Sequence, residues 1–407
     1  MGFQQGLSGL DAAAKNLDVI GNNVANASTV GFKSFRAEFA DLYANSLAGA
    51  GTNNIGIGTQ VANVAANFTQ GNTITTSNPL DLAINGNGFF RTSTNGTITY
   101  SRDGQFKLDS QGHVVTTSGA RLQGYPVDAS GGIVPSAPGD LRVSAADIPP
   151  KVTSEARAVL NLDSRKAPLT SAGFNINNTA TYNDATSVSV FDSLGNGHTL
   201  TTYFVKTAAN SWDVFGASDG VQLGAGALGT LQFQTDGSLD TVASALPLTV
   251  SMPVTTGATT PLNFSLDFVG TTQFGSSFGV NELVQDGYQS GRLTGFNISN
   301  DGVLLGRYSN GQSRPQGEIV LANFTNPQGL QHLGNNLLAE TAESGLPLVG
   351  APGTGALGVL QSGALEESNV DLTSELVNMI TAQRVYQANA QTVKAQDQLL
   401  QTIVNLR

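Results

Sequence analysis

From Val370 to Arg407 the chain contains neither glycine nor proline, although 48 of its 407 residues are glycine. Leu372, Leu376, Met379, Tyr386, Ala390, Val393, Leu400 and Ile403 recur there in helical steps of three, four and seven. Ser368 with Asp371 has the S-x-x-D spacing of a helix start. At ~1.5 Å per residue such a helix extends about 55 Å, longer than an ordinary globular helix. A rod of that length needs something to lie along.

The opposite end of the chain offers a partner. Phe3, Leu7, Leu10, Ala14, Leu17, Ile20 and Val24 follow a near-heptad that ends around Gly21-Asn22-Asn23. The larger side chains of that stripe contribute roughly 9–18 kcal/mol if fully buried. Ordering some twenty backbone residues costs about 20–40 kcal/mol, only partly offset by helical hydrogen bonds. The segment alone does not hold. Pairing with the C-terminal helix, and with neighbouring copies, is expected to order both ends.

Between the helices, short β-branched and aromatic runs alternate with turn residues from Thr73 onward. Asp103-Gly104, Asp236-Gly237, Asp301-Gly302 and Asn310-Gly311 carry hairpin-turn chemistry. Pro149-Pro150 and the glycine-rich run from Phe274 to Gly279 read as crossings between two β domains. The expected fold is therefore α+β and mainly β. Paired N- and C-terminal long helices, coiled-coil-like, flank two nested β-rich domains. The boundaries read as 1–24 for the first helix and 25–71 for an irregular connection. A discontinuous core follows at 72–148 and 280–362, with an inserted outer domain at 149–279 and the second helix at 363–407.

Composition narrows the function. Charged residues make up 12% of the chain, about half the usual ~25%, leaving Gly/Asn/Thr/Ser/Gln-rich surfaces that desolvate easily and suit self-packing. A net charge of −11 argues against nucleic acid or an anionic membrane as partner. Cysteine is absent, which excludes disulfides and thiolate metal sites. No apolar run reaches membrane-spanning length, and the N-terminus lacks the pattern of a cleaved signal peptide.

Three patterns imitate enzymes. Gly224 to Gly229 satisfies G-x-G-x-x-G, but a strand-like segment follows where a phosphate-binding helix is required. Gly275 to Gly279 satisfies G-x-S-x-G around Ser277, with Asp301 and His332 in hydrolase order, yet its surroundings are glycine-broken β sequence. His113, His198 and His332 lack metal-ligand spacing, and Asp192, Asn196 and Asp236 read as turn residues. No catalytic residue, metal site or cofactor is expected.

The termini do resemble a known family. Leu10 to Asn26, containing Gly21, Asn22, Asn23 and Asn26, followed by Gly31, Phe32 and Lys33, is similar to the N-terminal signature of flagellar rod and hook axial proteins. Asn85 to Phe90 and Tyr100 to Phe106 resemble the core β domain of that family. Gly363 to Leu372, with Ser368, Asn369, Val370 and Asp371, and then Glu375 to Thr392, resemble its C-terminal signature. Room for an insertion between Pro150 and Phe274 points to the hook branch rather than to the shorter rod proteins. The absent cysteine removes any thiol-dependent cross-link.

The resemblance implies a non-enzymatic structural subunit of a helical tube, flexible as a universal joint and hollow for export. It implies a homopolymer with rod protein, hook cap, hook–filament junction proteins and the flagellar type III export apparatus as partners, and an extracellular address in the hook. The helix positions Phe3, Leu7, Leu10, Leu17, Ile20, Val24, Leu372, Leu376, Met379, Ile380, Tyr386, Val393, Leu400 and Ile403 would be subunit interfaces. The glutamines at 383, 387, 391, 396, 398 and 401 would lie between copies or along the channel.

Overall fold

The computed structural model describes residues 2–42, 56–128 and 131–405. The protein is mainly β with a helix at each end, α1 (Gly2–Ala25) and α2 (Leu372–Asn405). It divides into two compact units. One comprises Met1–Ser144, Gly295–Arg307 and Ser313–Arg407; the other comprises Ala145–Thr294 and Tyr308–Gln312.

In the first unit α2 runs 34 residues, about 51 Å at ~1.5 Å per residue. It begins one residue after Asp371, and Asp371 itself is the cap. Its Oδ1 accepts from the N–H groups of Thr373 and Ser374, and its Oδ2 from the Ser374 hydroxyl. The expected S-x-x-D start is thereby corrected: Ser368 lies upstream, where its hydroxyl accepts from Val370 N–H. The Ser374 and Thr373 hydrogen bonds hold the Asp371 carboxyl below the ordinary range.

Residues 25–71 are not merely an irregular connection. Two antiparallel strands, β1 (Phe35–Leu42) and β2 (Gly58–Ala66), form a hairpin with a bulge between Glu38 and Phe39. This hairpin packs on α1, where Gln5 Nε2 donates to the Gly56 carbonyl and Ser8 Oγ accepts from Thr59 N–H. Alternation in F-R-A-E-F-A-D-L was the available strand signal.

The β core of the first unit is built around Phe89, Tyr100, Phe324, Leu330 and Leu338. Strands Phe89–Thr94 and Thr97–Ser101 form a hairpin turned at Asn95-Gly96, both at positive φ. The Tyr100 hydroxyl reaches Glu340, and burial together with that bond pushes its pKa far up. Asp103-Gly104 is no hairpin turn. Gly104 lies against the Leu82 backbone, and its carbonyl accepts from Leu82 N–H. Late strands return to early ones, with Val359–Ser362 pairing Leu82–Asn85 and Ala364–Glu366 pairing Thr73–Thr75. That closure brings the root of α2 back to the segment after α1.

In the second unit two sheets enclose one core containing Trp212, Phe204, Phe268, Leu160, Leu200 and Val250. The strand Glu155–Asp163 pairs in parallel with Leu262–Asp267 and Thr272–Phe274, and antiparallel with Gly279–Gln285. The run from Phe274 to Gly279 is therefore a link within this unit, and the chain leaves it near Thr294. Trp212 Nε1 donates to Gln273 Oε1 at 2.7 Å, satisfying the one polar atom of a fully buried indole.

At one end of this unit His198 sits between two carboxylates. Nδ1 faces Asp219 Oδ2 at 2.7 Å, and Nε2 faces Asp192 Oδ2 at 3.3 Å. Asp192 also accepts from the Thr256 hydroxyl and Asn196 Nδ2, which ties in a distant loop. Burial pulls the His198 pKa down, but the bonds to Asp219 and Asp192 outweigh it and the pKa is raised above 6.5. Burial likewise opposes ionisation of Asp192 and Asp219, yet their hydrogen bonds hold both pKa values below the ordinary range. The histidine's contribution is thus complete below about pH 6.5 and is lost as pH rises through the raised value. The aspartates' contribution is present above about pH 4 and is lost in acid. Thermal melts of the second unit's transition should fall as pH rises from about 6.5, and His198→Gln should flatten that slope; an unchanged slope would show that His198 is not its source.

Candidate functional site

The residues of both terminal signatures meet at the root of the helices. Glu366 lies at the centre, 1% exposed. Its Oε1 accepts from Lys33 Nζ at 2.5 Å and from Gly71 N–H at 2.9 Å; its Oε2 accepts from Arg102 Nη1 at 3.0 Å. Two cations around one carboxylate leave a positive excess that backbone carbonyls absorb. Lys33 also donates to the Thr69 carbonyl at 2.8 Å, and Arg102 Nη2 to the Gly86 carbonyl at 2.7 Å. The Arg102 guanidinium also lies over the Phe89 ring, 5.5 Å from its centroid. Burial lowers the pKa of Lys33 and of Arg102, and Glu366 opposes the shift in both.

The remaining motif residues brace this cluster. Gly31 N–H donates to the Glu366 carbonyl at 2.8 Å. Gly31 has φ +68°, and a Cβ there would stand 2.6 Å from the Arg102 carbonyl carbon, so the site demands glycine on two counts. Phe32 is buried with its ring 5.8 Å from that of Phe35. Asn369 Oδ1 accepts from Ser34 N–H at 2.7 Å, and its Nδ2 donates to the Asn67 carbonyl at 2.8 Å. Asn23, 1% exposed, exchanges two 2.8 Å bonds with the Phe35 backbone and donates to Glu375 on α2. Asn26 closes the end of α1 on the Asn22 carbonyl and accepts from Thr29. Gly21 has open space around it, and Val370 is half-buried.

The two helices touch along small residues rather than along the leucine stripe. A Cβ on Gly9 would come 2.8 Å from Asn389 Nδ2, and one on Gly6 would come 3.0 Å from Val393 Cγ2. Ala12, Ala13, Ile20 and Ala382 are buried. Of the apolar stripes, Ile20 is buried and Val393 meets Gly6, while the closest approach falls at glycine. Phe3 and Leu7 remain exposed, Leu7 at 55%, while Leu10, Leu17 and Val24 are half-buried. On α2, Leu372, Leu376, Ile380, Tyr386 and Leu400 are exposed, Ile380 at 52%, and Met379 and Val393 are half-buried. The side chain of Ile403 lies outside the described residues.

The enzyme-like patterns do not assemble chemistry. A strand, Gly229–Phe233, follows the glycine-rich loop, and another, Gly279–Gln285, follows Ser277. His332 packs edge-on to Phe35 at 4.9 Å, and burial lowers its pKa. Among the described residues no cluster of His, Asp and Glu is arranged to hold a metal, and no helix is long and apolar enough to cross a membrane.

The site is thus a structural joint, and family comparisons agree with its placement. Residues 3–33 match the flagella basal body rod protein family, and 361–406 the flagellar basal body rod FlgEFG protein C-terminal family. Residues 83–190 match the flagellar hook protein FlgE/F/G D1 domain, and 161–288 the flagellar basal body protein FlaE D2 domain. These define a flagellar axial protein of the rod-and-hook class. The flagellar hook protein FlgE of Escherichia coli K12 is 44% identical over the full length of both chains. The FlgE of Borreliella burgdorferi is 35% identical over 99% of this chain and 98% of that one. The chain belongs to the flagellar hook protein family and is a structural protein of the bacterial flagellar hook. The crystal structure of Helicobacter pylori flagellar hook protein FlgE2 shares the fold, with TM-score 0.54 and 14% identity over 71% of this chain and 99% of that chain.

Removing one partner from a buried ionic cluster leaves uncompensated charge. Glu366→Gln should lower stability by about 3–5 kcal/mol, read from the first unit's transition in chemical denaturation. A loss below about 1 kcal/mol, the level of an exposed pair, would mean that water screens the cluster.

Proposed function

We propose that this chain polymerises head to tail into the hook tube, a universal joint that transmits torque from rod to filament. The observation that carries the reading is the exposed apolar load on both helices. At ~100° per residue, Phe3 and Leu7 point more than a quarter turn away from the Gly6–Gly9–Asn23 face that meets α2, Leu10 nearly so, and the half-buried Leu17 and Val24 flank that face. Each such side chain contributes roughly 1.5–3 kcal/mol when fully buried, and a second copy is the surface that buries it. The named interface residues Leu372, Leu376, Met379, Ile380, Tyr386 and Leu400 act in the same way on α2, whereas Val393 meets Gly6 of α1 within the chain.

On α2 the exposed Gln383, Gln387, Gln391, Gln398 and Gln401 form one stripe opposite the α1 contact. Leu376 and Ile380 lie on this same stripe near the root of the helix, so the stripe meets a neighbouring copy there and lines the central channel further along, where uncharged amides let unfolded substrates pass. Gln396 is half-buried and falls on the α1 side, outside that stripe. The two β domains are nested in the chain, and their low-charge surfaces slide past neighbours as the tube bends. The protein works without catalysis or cofactor. It is exported by the flagellar type III apparatus and meets rod protein, hook cap and hook–filament junction proteins at the ends of the tube.

Leu376→Glu with Ile380→Glu should leave the monomer's melting unchanged and abolish polymerisation, as read by sedimentation and electron microscopy. Antibody against residues 145–294 should label only the short curved segment between filament and basal body. Normal polymers from the double variant would sink the assignment of that face, and label on the rod would move the protein there.

A further inference from the structure

Between α1, α2 and the β1–β2 hairpin lies a cavity of about 720 Å³. Ala12, Ala13, Ile20, Ala65 and Ala382 line it, together with Glu375 and with Arg36, whose guanidinium pairs with Glu38. Glu375 Oε1 accepts one long hydrogen bond, 3.3 Å, from Asn23 Nδ2. Its Oε2 is buried and has no hydrogen-bond partner. A half-buried carboxylate with one shielded oxygen and one weak neutral donor is an incomplete site, and a cation is the group that completes it.

The same helix carries Arg384, exposed and without an ion pair among the described residues. It follows Glu375 by nine positions, and nine steps of ~100° make two and a half turns. The two side chains therefore leave opposite sides of α2, about 13 Å apart along the axis, Glu375 on the side that meets Asn23 of α1 and Arg384 on the side away from it. They do not pair within one chain. A contact that repeats one copy beside the next joins one flank of each copy to the opposite flank of its neighbour. Both flanks are apolar around their charge, with Val377 and Leu399 on the Arg384 side and Leu372, Met379 and Tyr386 on the Glu375 side. Lys394, the other exposed cation of α2, lies on the glutamine stripe instead.

We infer that in the polymer Arg384 of one copy enters the mouth of this cavity and pairs with Glu375 of the next. The pair fixes the register between adjacent α2 helices, where apolar contacts alone would permit sliding. This inference rests on the polymer reading and specifies one contact within it.

A double-mutant cycle on the full-length chain tests it, using Glu375→Gln, Arg384→Gln and the two combined. The critical concentration for polymerisation is read by pelleting, and helix content by circular dichroism. Each single change should raise the critical concentration about tenfold, and the double variant should be little worse than either. Polymers from both single variants at the wild-type concentration would overturn the pairing and leave the polymer reading intact. So would losses that simply add, or loss of helix in Glu375→Gln with normal assembly of Arg384→Gln. Failure of the unaltered chain to polymerise under any condition would overturn the polymer reading itself.

Discussion

One buried carboxylate holds the helix-bearing unit together. Glu366 ends the return strand that pairs with Thr73–Thr75, and it receives Lys33 from the segment after α1 and Arg102 from the β core. Three stretches far apart in sequence meet on its two oxygens. Burying three charged groups is costly, so the arrangement persists only because nearly every donor finds an acceptor, several of them backbone carbonyls. An apolar cluster of the same volume would match that stability without fixing direction. The hydrogen-bond geometry at Glu366 instead fixes how the chain enters and leaves the β core, and with it where both helices are rooted.

The helices depend on that root. They approach most closely at Gly6 and Gly9, against Val393 and Asn389, a seam with little apolar area to bury. Such a seam brings backbones close and leaves the large side chains for other contacts. Asn23 and Asn369 complete the attachment by binding backbone groups of the hairpin and the linker. A rigid root with adhesive, incompletely buried helices suits a subunit that finishes its core against its neighbours. The second unit has a different logic: a closed aromatic and aliphatic core, with charge confined to clasps such as His198 between Asp192 and Asp219.

Much of this was legible in the chain. The glycine-free terminus is one helix, the heptad end is the other, and the Asp192–His198 turn joins paired strands. Motif residues Gly31, Lys33 and Asn369 were visible as a signature, but their chemistry was not. Glu366 looked like one acidic residue among several, because a carboxylate's burial depends on strands closing around it. The small-residue seam was hidden by the louder leucine stripe, since periodicity reports amphipathicity without saying which face meets which partner.

By itself the sequence determined the element types at both ends, the turn-punctuated β character between them and the absence of disulfide chemistry. These follow from local rules: side-chain periodicity, backbone freedom at glycine and the presence or absence of a thiol. Tertiary structure alone decided that residues 35–66 hold a hairpin, that the strand at 279–285 belongs to the second unit, and that Lys33, Arg102 and Glu366 share one buried site. Each of those depends on partners tens to hundreds of residues away, and desolvation and pairing act only once such partners are in contact.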